Sequence, residues 1–122
     1  MGEKKVIYIS GPISGVPKYY EAFEKMEDEL SALGYIPLSP ARLPQGMTKA
    51  QYMRICFAMI DSADAVVFLQ SSYYSGGMKL EKEYCTYTSK PTILQRDSGL
   101  EGPNPHSIMV AWLKHDLEEV LQ

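Results

Sequence analysis

The chain has 122 residues, 45% of them hydrophobic and 22% charged, and a formal net charge of −3. That length predicts one domain, 1–122, with a core of its own. Without a Lys/Arg cluster to meet a phosphate backbone, no nucleic-acid partner is expected. The apolar runs are too short for a membrane span, and Met-Gly-Glu-Lys-Lys leads straight into a strand-like run, so the expectation is a cytoplasmic protein with no leader and no membrane partner.

Lys5 to Ser10, KVIYIS, is a short β-branched and aromatic run that ends at Gly11-Pro12, which reads as a strand and a turn. From Tyr19 to Leu33, Phe23, Met26, Leu30 and Leu33 share one helical face, and Gly34 stands where a C-terminal cap belongs. Tyr35 to Pro40 is a second strand, placed near a sheet edge by its prolines. Thr48 is the predicted N-cap of a helix reaching about Ser62, apolar around most of its circumference, with Arg54 and Asp61 on the wet side. Ala63 to Gln70, ADAVVFLQ, is a continuous apolar strand, the pattern of a strand covered on both faces of a parallel sheet. Asp64 at its start is read as a cap or brace. A helix from about Gly76 to Ser89, a strand from Pro91 to Gln95 and an amphipathic helix from Ser107 to Leu121 carrying Trp112 complete the chain.

This alternation predicts an α/β fold: a doubly wound, flavodoxin- or Rossmann-like sheet, mainly parallel, of four or five strands flanked by helices. Ligands in such folds sit beyond the carboxyl ends of the strands, where strand order switches. Two loops reach that edge. The first, Ser10 to Lys18, offers amides at Gly11, Ile13, Ser14 and Gly15 and the hydroxyls of Ser10 and Ser14. The second, Ser71 to Gly77, offers Ser72, Ser75 and the amides of Gly76 and Gly77. Each opens a helix, whose N-terminal end favours negative charge. Neither is a Walker A motif nor a dinucleotide fingerprint.

The helix after the second loop carries Glu81 and Glu83. At about 100° per residue from Met78, Glu81 falls at about 300°, among Leu80, Tyr84, Cys85 and Tyr87, while Glu83 falls at about 140°, near Lys79 and Lys82. Glu83 is therefore a solvated residue. Glu81 is an inward carboxylate, costly unless a hydrogen bond or a use in chemistry compensates it. Cys56 and Cys85 lack metal-ligand spacing and read as buried thiols of a reducing compartment. No metal and no cofactor are expected.

Tyr8-Ile-Ser-Gly-Pro-Ile-Ser-Gly15, Tyr52-Met-Arg54, Ala63-Asp-Ala-Val66, Ser75-Gly-Gly77 through Glu81, and Lys90-Pro91 together resemble the nucleoside 2-deoxyribosyltransferase family and its deoxynucleoside 5′-monophosphate N-glycosidase relatives, in particular a small bacterial and phage branch. The resemblance runs from Lys5 to about Ile93. It implies that Glu81, four residues after Gly77, is a nucleophile that attacks the anomeric carbon of a sugar and forms a covalent intermediate, resolved by water or an acceptor base. It implies that Tyr8 lies near the sugar. Ser75 and the first loop, Ser10, Gly11, Pro12, Ile13, Ser14 and Gly15, would hold a 5′ phosphate or hydroxyl. The implied partner is a small-molecule nucleoside or nucleotide, and the implied assembly a homodimer or higher oligomer in which Ser107 completes a neighbouring site. Cys56 stands where relatives carry a proton-donating aspartate, and Ser14 where the glycosidases carry an arginine. The alternative reading is a nucleotide-binding or sensing module of the same fold without turnover.

Overall fold

The structure, a computed structural model, describes residues 3–70, 75–96 and 105–122, the last segment without the side chains of 105–109. In chain order it consists of β1 (Val6–Ser10), α1 (Tyr19–Ala32), β2 (Ile36–Leu38), a 3₁₀ turn (Pro40–Arg42), α2 (Lys49–Ser62), β3 (Ala65–Phe68), α3 (Gly76–Thr88), β4 (Thr92–Leu94) and α4 (Pro105–Val120). The strands form one four-stranded sheet in the order β2-β1-β3-β4, and every neighbouring pair is parallel. β1 and β3 are thus the inner strands, with Tyr8 opposite Val66 and Ser10 opposite Phe68. β2 is an edge strand, as expected of a strand that contains Pro37.

Local chemistry sets the helix ends. α2 begins with a reciprocal capping box: Gln51 N donates to Thr48 Oγ1 at 3.1 Å, and Thr48 N donates to Gln51 Oε1 at 2.9 Å. α1 ends at Ala32 with Leu33 as its cap, and Gly34, at φ 90°, turns the chain back while Tyr35 N bonds Leu30 O at 3.0 Å. Pro40 ends β2 early by opening the 3₁₀ turn, which Arg42 fixes to α1 through Glu27 at 2.7 Å. α4 starts two residues before the expected Ser107, with Pro105 at its first position.

The helices cover both faces of the sheet. On one, Ile7, Ile9, Ala65, Val67 and Ile93 pack with Phe23, Met26 and Leu30 of α1 and with Leu113 and Leu117 of α4. On the other, Tyr8, Val66 and Phe68 meet Cys56 and Ile60 of α2 and Met78 and Cys85 of α3. Each fully buried large apolar side chain contributes about 1.5–3 kcal/mol. α2 is less enclosed than its composition predicts. Only Cys56 and Ile60 are buried, and Tyr52, Met53, Ile55, Phe57 and Met59 are half-buried, because the helix meets the sheet on one side only. Phe57 stacks on Tyr84 of α3 at 4.3 Å, and Tyr84 donates to Asp61 at 2.7 Å.

At the amino edge of the sheet, Val6 N donates to Asp64 Oδ2 at 2.7 Å and Asp64 N donates to Val6 O at 2.7 Å. Asp64 is therefore the brace its position suggested. Among the described residues, no helix is long and apolar enough to cross a membrane.

Candidate active site

Strand alternation sends Ile7 and Ile9 to the α1/α4 face and Tyr8 to the α2/α3 face, and Ser10 follows Tyr8 by the same period of two. Tyr8 is fully buried and donates its phenol O–H to Glu81 Oε1 at 3.0 Å. Glu81, in the second turn of α3, is 6% exposed, whereas Glu83 is exposed, as the helical spacing requires. No cation among the described residues pairs with Glu81. Its second oxygen, Oε2, and the fully buried Ser10 Oγ are both without a hydrogen-bond partner. Ser10 lies near enough to favour the Glu81 carboxylate, but no bond of ordinary geometry joins the two.

Burial raises the Glu81 pKa from an ordinary 4.5 to about 7, against the opposing pull of the Ser10 and Tyr8 hydroxyls. A carboxyl poised there exchanges its proton near neutrality and gains charge when a cationic centre approaches. Tyr8 is pushed well above its ordinary value by burial and then by Glu81, so it remains a donor. Cys56 is raised by burial, although the neighbouring Tyr8 hydroxyl opposes the shift. Cys85, raised to about 11 by burial and then by Glu81, is an inert thiol.

A Cβ on Gly11 would come within 2.7 Å of Leu69 Cδ1 and 2.9 Å of Phe23 Cζ, so glycine there is what lets β1 leave the sheet against β3. Gly15, at φ 75°, completes a turn closed by Val16 N to Ile13 O at 3.2 Å. Ile13 packs against the α1/α4 core, which leaves its amide, rather than its side chain, for a ligand. Ser14 and Gly15 are exposed. Pro12 lines a groove of about 410 Å³ with Lys18, Tyr19, Leu69 and Gln70, at the carboxyl edge and on the α1 side. Ser75 caps α3, its Oγ accepting from Met78 N at 3.2 Å, and its O–H is left to donate. A Cβ on Gly77 would meet Met53 Sδ at an ordinary 3.6 Å, so space does not demand a glycine there. Ser72 and the side chain of Ser107 lie outside the described residues.

Residues 5–94 match the model of a family described as a domain of unknown function, DUF4406. The chain belongs to this family. No curated protein matches it. Among solved structures, the DUF4406 chain is similar to a 2-deoxyribosyltransferase from Bacillus psychrosaccharolyticus, described as a biocatalyst for nucleoside synthesis, with a TM-score of 0.60 and 22% identity over 73% of this chain and 70% of that one. It is also similar to a 2-desoxiribosyltransferase from Leishmania mexicana, with a TM-score of 0.62 and 22% identity over 74% of this chain. That match covers 63% of the Leishmania enzyme, so this chain spans less than two-thirds of its length. At such identity the likeness is one of fold, and it agrees with the Rossmann-like parallel sheet observed.

The structure thus brings Tyr8, Ser10 and Glu81 into one buried cluster, while Ser14 and Gly15 are exposed. Sequence reasoning missed Lys18 and Gln70, which line the groove. Lys18 adopts φ 56° at the start of α1, a left-handed conformation that no neighbouring residue type announces.

Proposed function

We propose that this DUF4406 protein cleaves or transfers at the N-glycosidic bond of a nucleoside or nucleotide, with Glu81 as nucleophile. The observation that carries the reading is a buried carboxylate with one oxygen held by Tyr8, the other unengaged and no cation of the described residues alongside, near the carboxyl edge of the two inner strands. Glu81 Oε2 bonds to the sugar C1′ as the C1′–N bond breaks. The bond's electron pair leaves on the base, which takes up a proton from solvent. Water or a second base then attacks C1′, losing its proton to solvent, and the ester electron pair returns to Glu81. Tyr8 fixes the carboxylate's orientation, and the electron-poor sugar offsets the burial that holds Glu81 partly protonated. Amides of the first loop and the Ser75 O–H are suited to the 5′ end of the substrate. The solved enzymes of like fold act, by their names, in 2-deoxyribosyl transfer, which supports the substrate class.

The reading extends to a homodimer or higher assembly in which the partner subunit's Ser107 reaches the site, to be checked by light scattering. The free thiols Cys56 and Cys85 suit a reducing cytoplasm.

Incubation with a panel of nucleosides, nucleoside monophosphates and dinucleotides, followed by chromatography, is expected to show free base. A sugar ester on Glu81, seen by mass spectrometry, identifies the nucleophile. One observation favours a second reading, a binding module without turnover: Cys56, raised above an ordinary thiol, is a weak proton donor for a departing base. That reading predicts thermal stabilisation by nucleotides with no base released.

A further inference from the structure

Two buried side-chain oxygens of the cluster, Ser10 Oγ and Glu81 Oε2, have no hydrogen-bond partner. They come from different elements, the last residue of β1 and the second turn of α3. A buried polar atom left unpaired costs stability and is retained where something else completes it. A structural serine at Ser10 would bond a nearby backbone carbonyl, and a space-filling residue would be alanine.

The chemistry of attack says what meets each oxygen. Tyr8 holds Oε1, so Oε2 is the one free to reach C1′. In a β-N-glycoside the base leaves from the upper face of the sugar, and the nucleophile arrives from the lower. On that lower face, one carbon from C1′, a ribosyl group carries its 2′-hydroxyl, and a 2′-deoxyribosyl group carries only hydrogen. The unpaired hydroxyl nearest to hand on the protein is that of Ser10, close enough to act on the Glu81 carboxylate.

We propose that Ser10 determines sugar specificity: its hydroxyl binds the 2′-hydroxyl while Oε2 engages C1′, so the site takes ribosyl substrates in preference to 2′-deoxyribosyl ones. This rests on Glu81 being the nucleophile and departs from the deoxyribosyl substrates named for the structural neighbours. The two unpaired oxygens then acquire two partners on one sugar. A serine hydroxyl both donates and accepts, so it serves either orientation of the 2′-OH. A deoxy sugar would press a methylene against it and leave it unpaired, the situation in which a site built to bond a hydroxyl rejects the analogue lacking it.

The test compares matched pairs, adenosine with deoxyadenosine and uridine with deoxyuridine, and the 5′-monophosphates of each, with released base measured by chromatography. Wild-type protein is expected to favour the ribosyl member in kcat/KM by at least about tenfold, the scale of one hydrogen bond. Ser10→Ala is expected to bring that ratio down by about tenfold, chiefly by slowing the ribosyl reaction. A wild-type ratio at or below one overturns the proposal, whatever the folding of the variant. So does an alanine variant that slows both members equally, or one that shifts the melting temperature alone, the result expected if Ser10 binds only a trapped water. If no base is released from any compound, the nucleophile reading fails, and Ser10 is judged by binding. Stronger thermal stabilisation by ribosyl than by deoxyribosyl compounds, lost in Ser10→Ala, then supports it, and equal stabilisation overturns it.

Discussion

The two faces of the sheet are built from alternate residues of the same strands, yet they differ in kind. Toward α1 and α4, Ile7, Ile9, Val67 and Ile93 meet Phe23, Leu30 and Leu117 in an apolar core, with the carboxyls of Glu29 and Asp116 buried at its margin. Toward α2 and α3, the same β1 presents Tyr8, and the layer contains Cys56 and Cys85, with the carboxylate of Glu81 bonded to Tyr8 within it. The apolar face stabilises the sheet by hydrocarbon burial. It thereby allows the other face to bury a carboxyl whose charge is costly and a serine whose hydroxyl is unmatched. Stability and chemistry are separated by a strand period of two rather than by distance.

The sharpest way to break this contrast is on the polar face. Glu81→Gln is expected to keep fold and nucleotide binding while lowering kcat by at least about 10³-fold, as loss of a nucleophile does. Undiminished base release from that variant would remove the separation at its root. The converse substitution, Leu30→Ala on the dry face, is expected to cost about 2–5 kcal/mol by transfer and cavity formation, read as a lower urea midpoint. Turnover per folded molecule should persist. If it were lost with the stability, the two faces would not be independent.

Acidity sharpens the comparison further, since the buried Glu81 of the polar face titrates near neutrality. The Glu81 pKa is raised in the folded state, from 4.5 to about 7. Its contribution to stability is therefore fully present below about pH 4.5 and is lost as pH rises through about 7. The rise corresponds to about 3 kcal/mol at most. Glu81→Gln should melt higher than wild type at pH 8, and the difference should shrink toward pH 4.5. The same ionisation makes the nucleophile, so kcat/KM is expected to rise with pH through about 7. Tyr8→Phe removes a hydroxyl that holds the value down, and should move that limb upward.

Much of this division was legible in the chain, and the rest was hidden for physical reasons. Thr48 marked the start of α2, Gly34 the end of α1, and the 100° step of a helix separated Glu81 from Glu83. Those signals are local. The unpaired state of Ser10 was not legible, because a strand buried on both faces has no amphipathic alternation to show which side each residue takes. The tight fit of Gly11 against Leu69 and Phe23 joins three distant parts of the chain. Gly11→Ala tests it: a methyl 2.7 Å from Leu69 Cδ1 forces repacking, expected to cost about 1–3 kcal/mol. Because Gly11 adjoins Ser10, the site should lose activity as well, a coupling that Leu30→Ala should lack.

The smallest effect belongs to the amino edge, where every partner is in place. Asp64 Oδ2 accepts from Val6 N at 2.7 Å while Asp64 N returns a bond to Val6 O. The pair ties β1 to β3 at the end away from Ser10. Asp64→Ala removes one charge-assisted bond at an exposed position, where water can replace it, so the expected loss is about 1 kcal/mol. Val6 and Ser10 are four residues apart on one strand, about 13 Å, and a brace at that distance holds the strand without touching the sugar. The outcome to look for is a modest fall in urea midpoint with kcat and KM both unmoved. A variant of normal stability and impaired turnover would mean that Asp64 acts on the reaction, and the division between a bracing edge and a reacting edge would have to be redrawn.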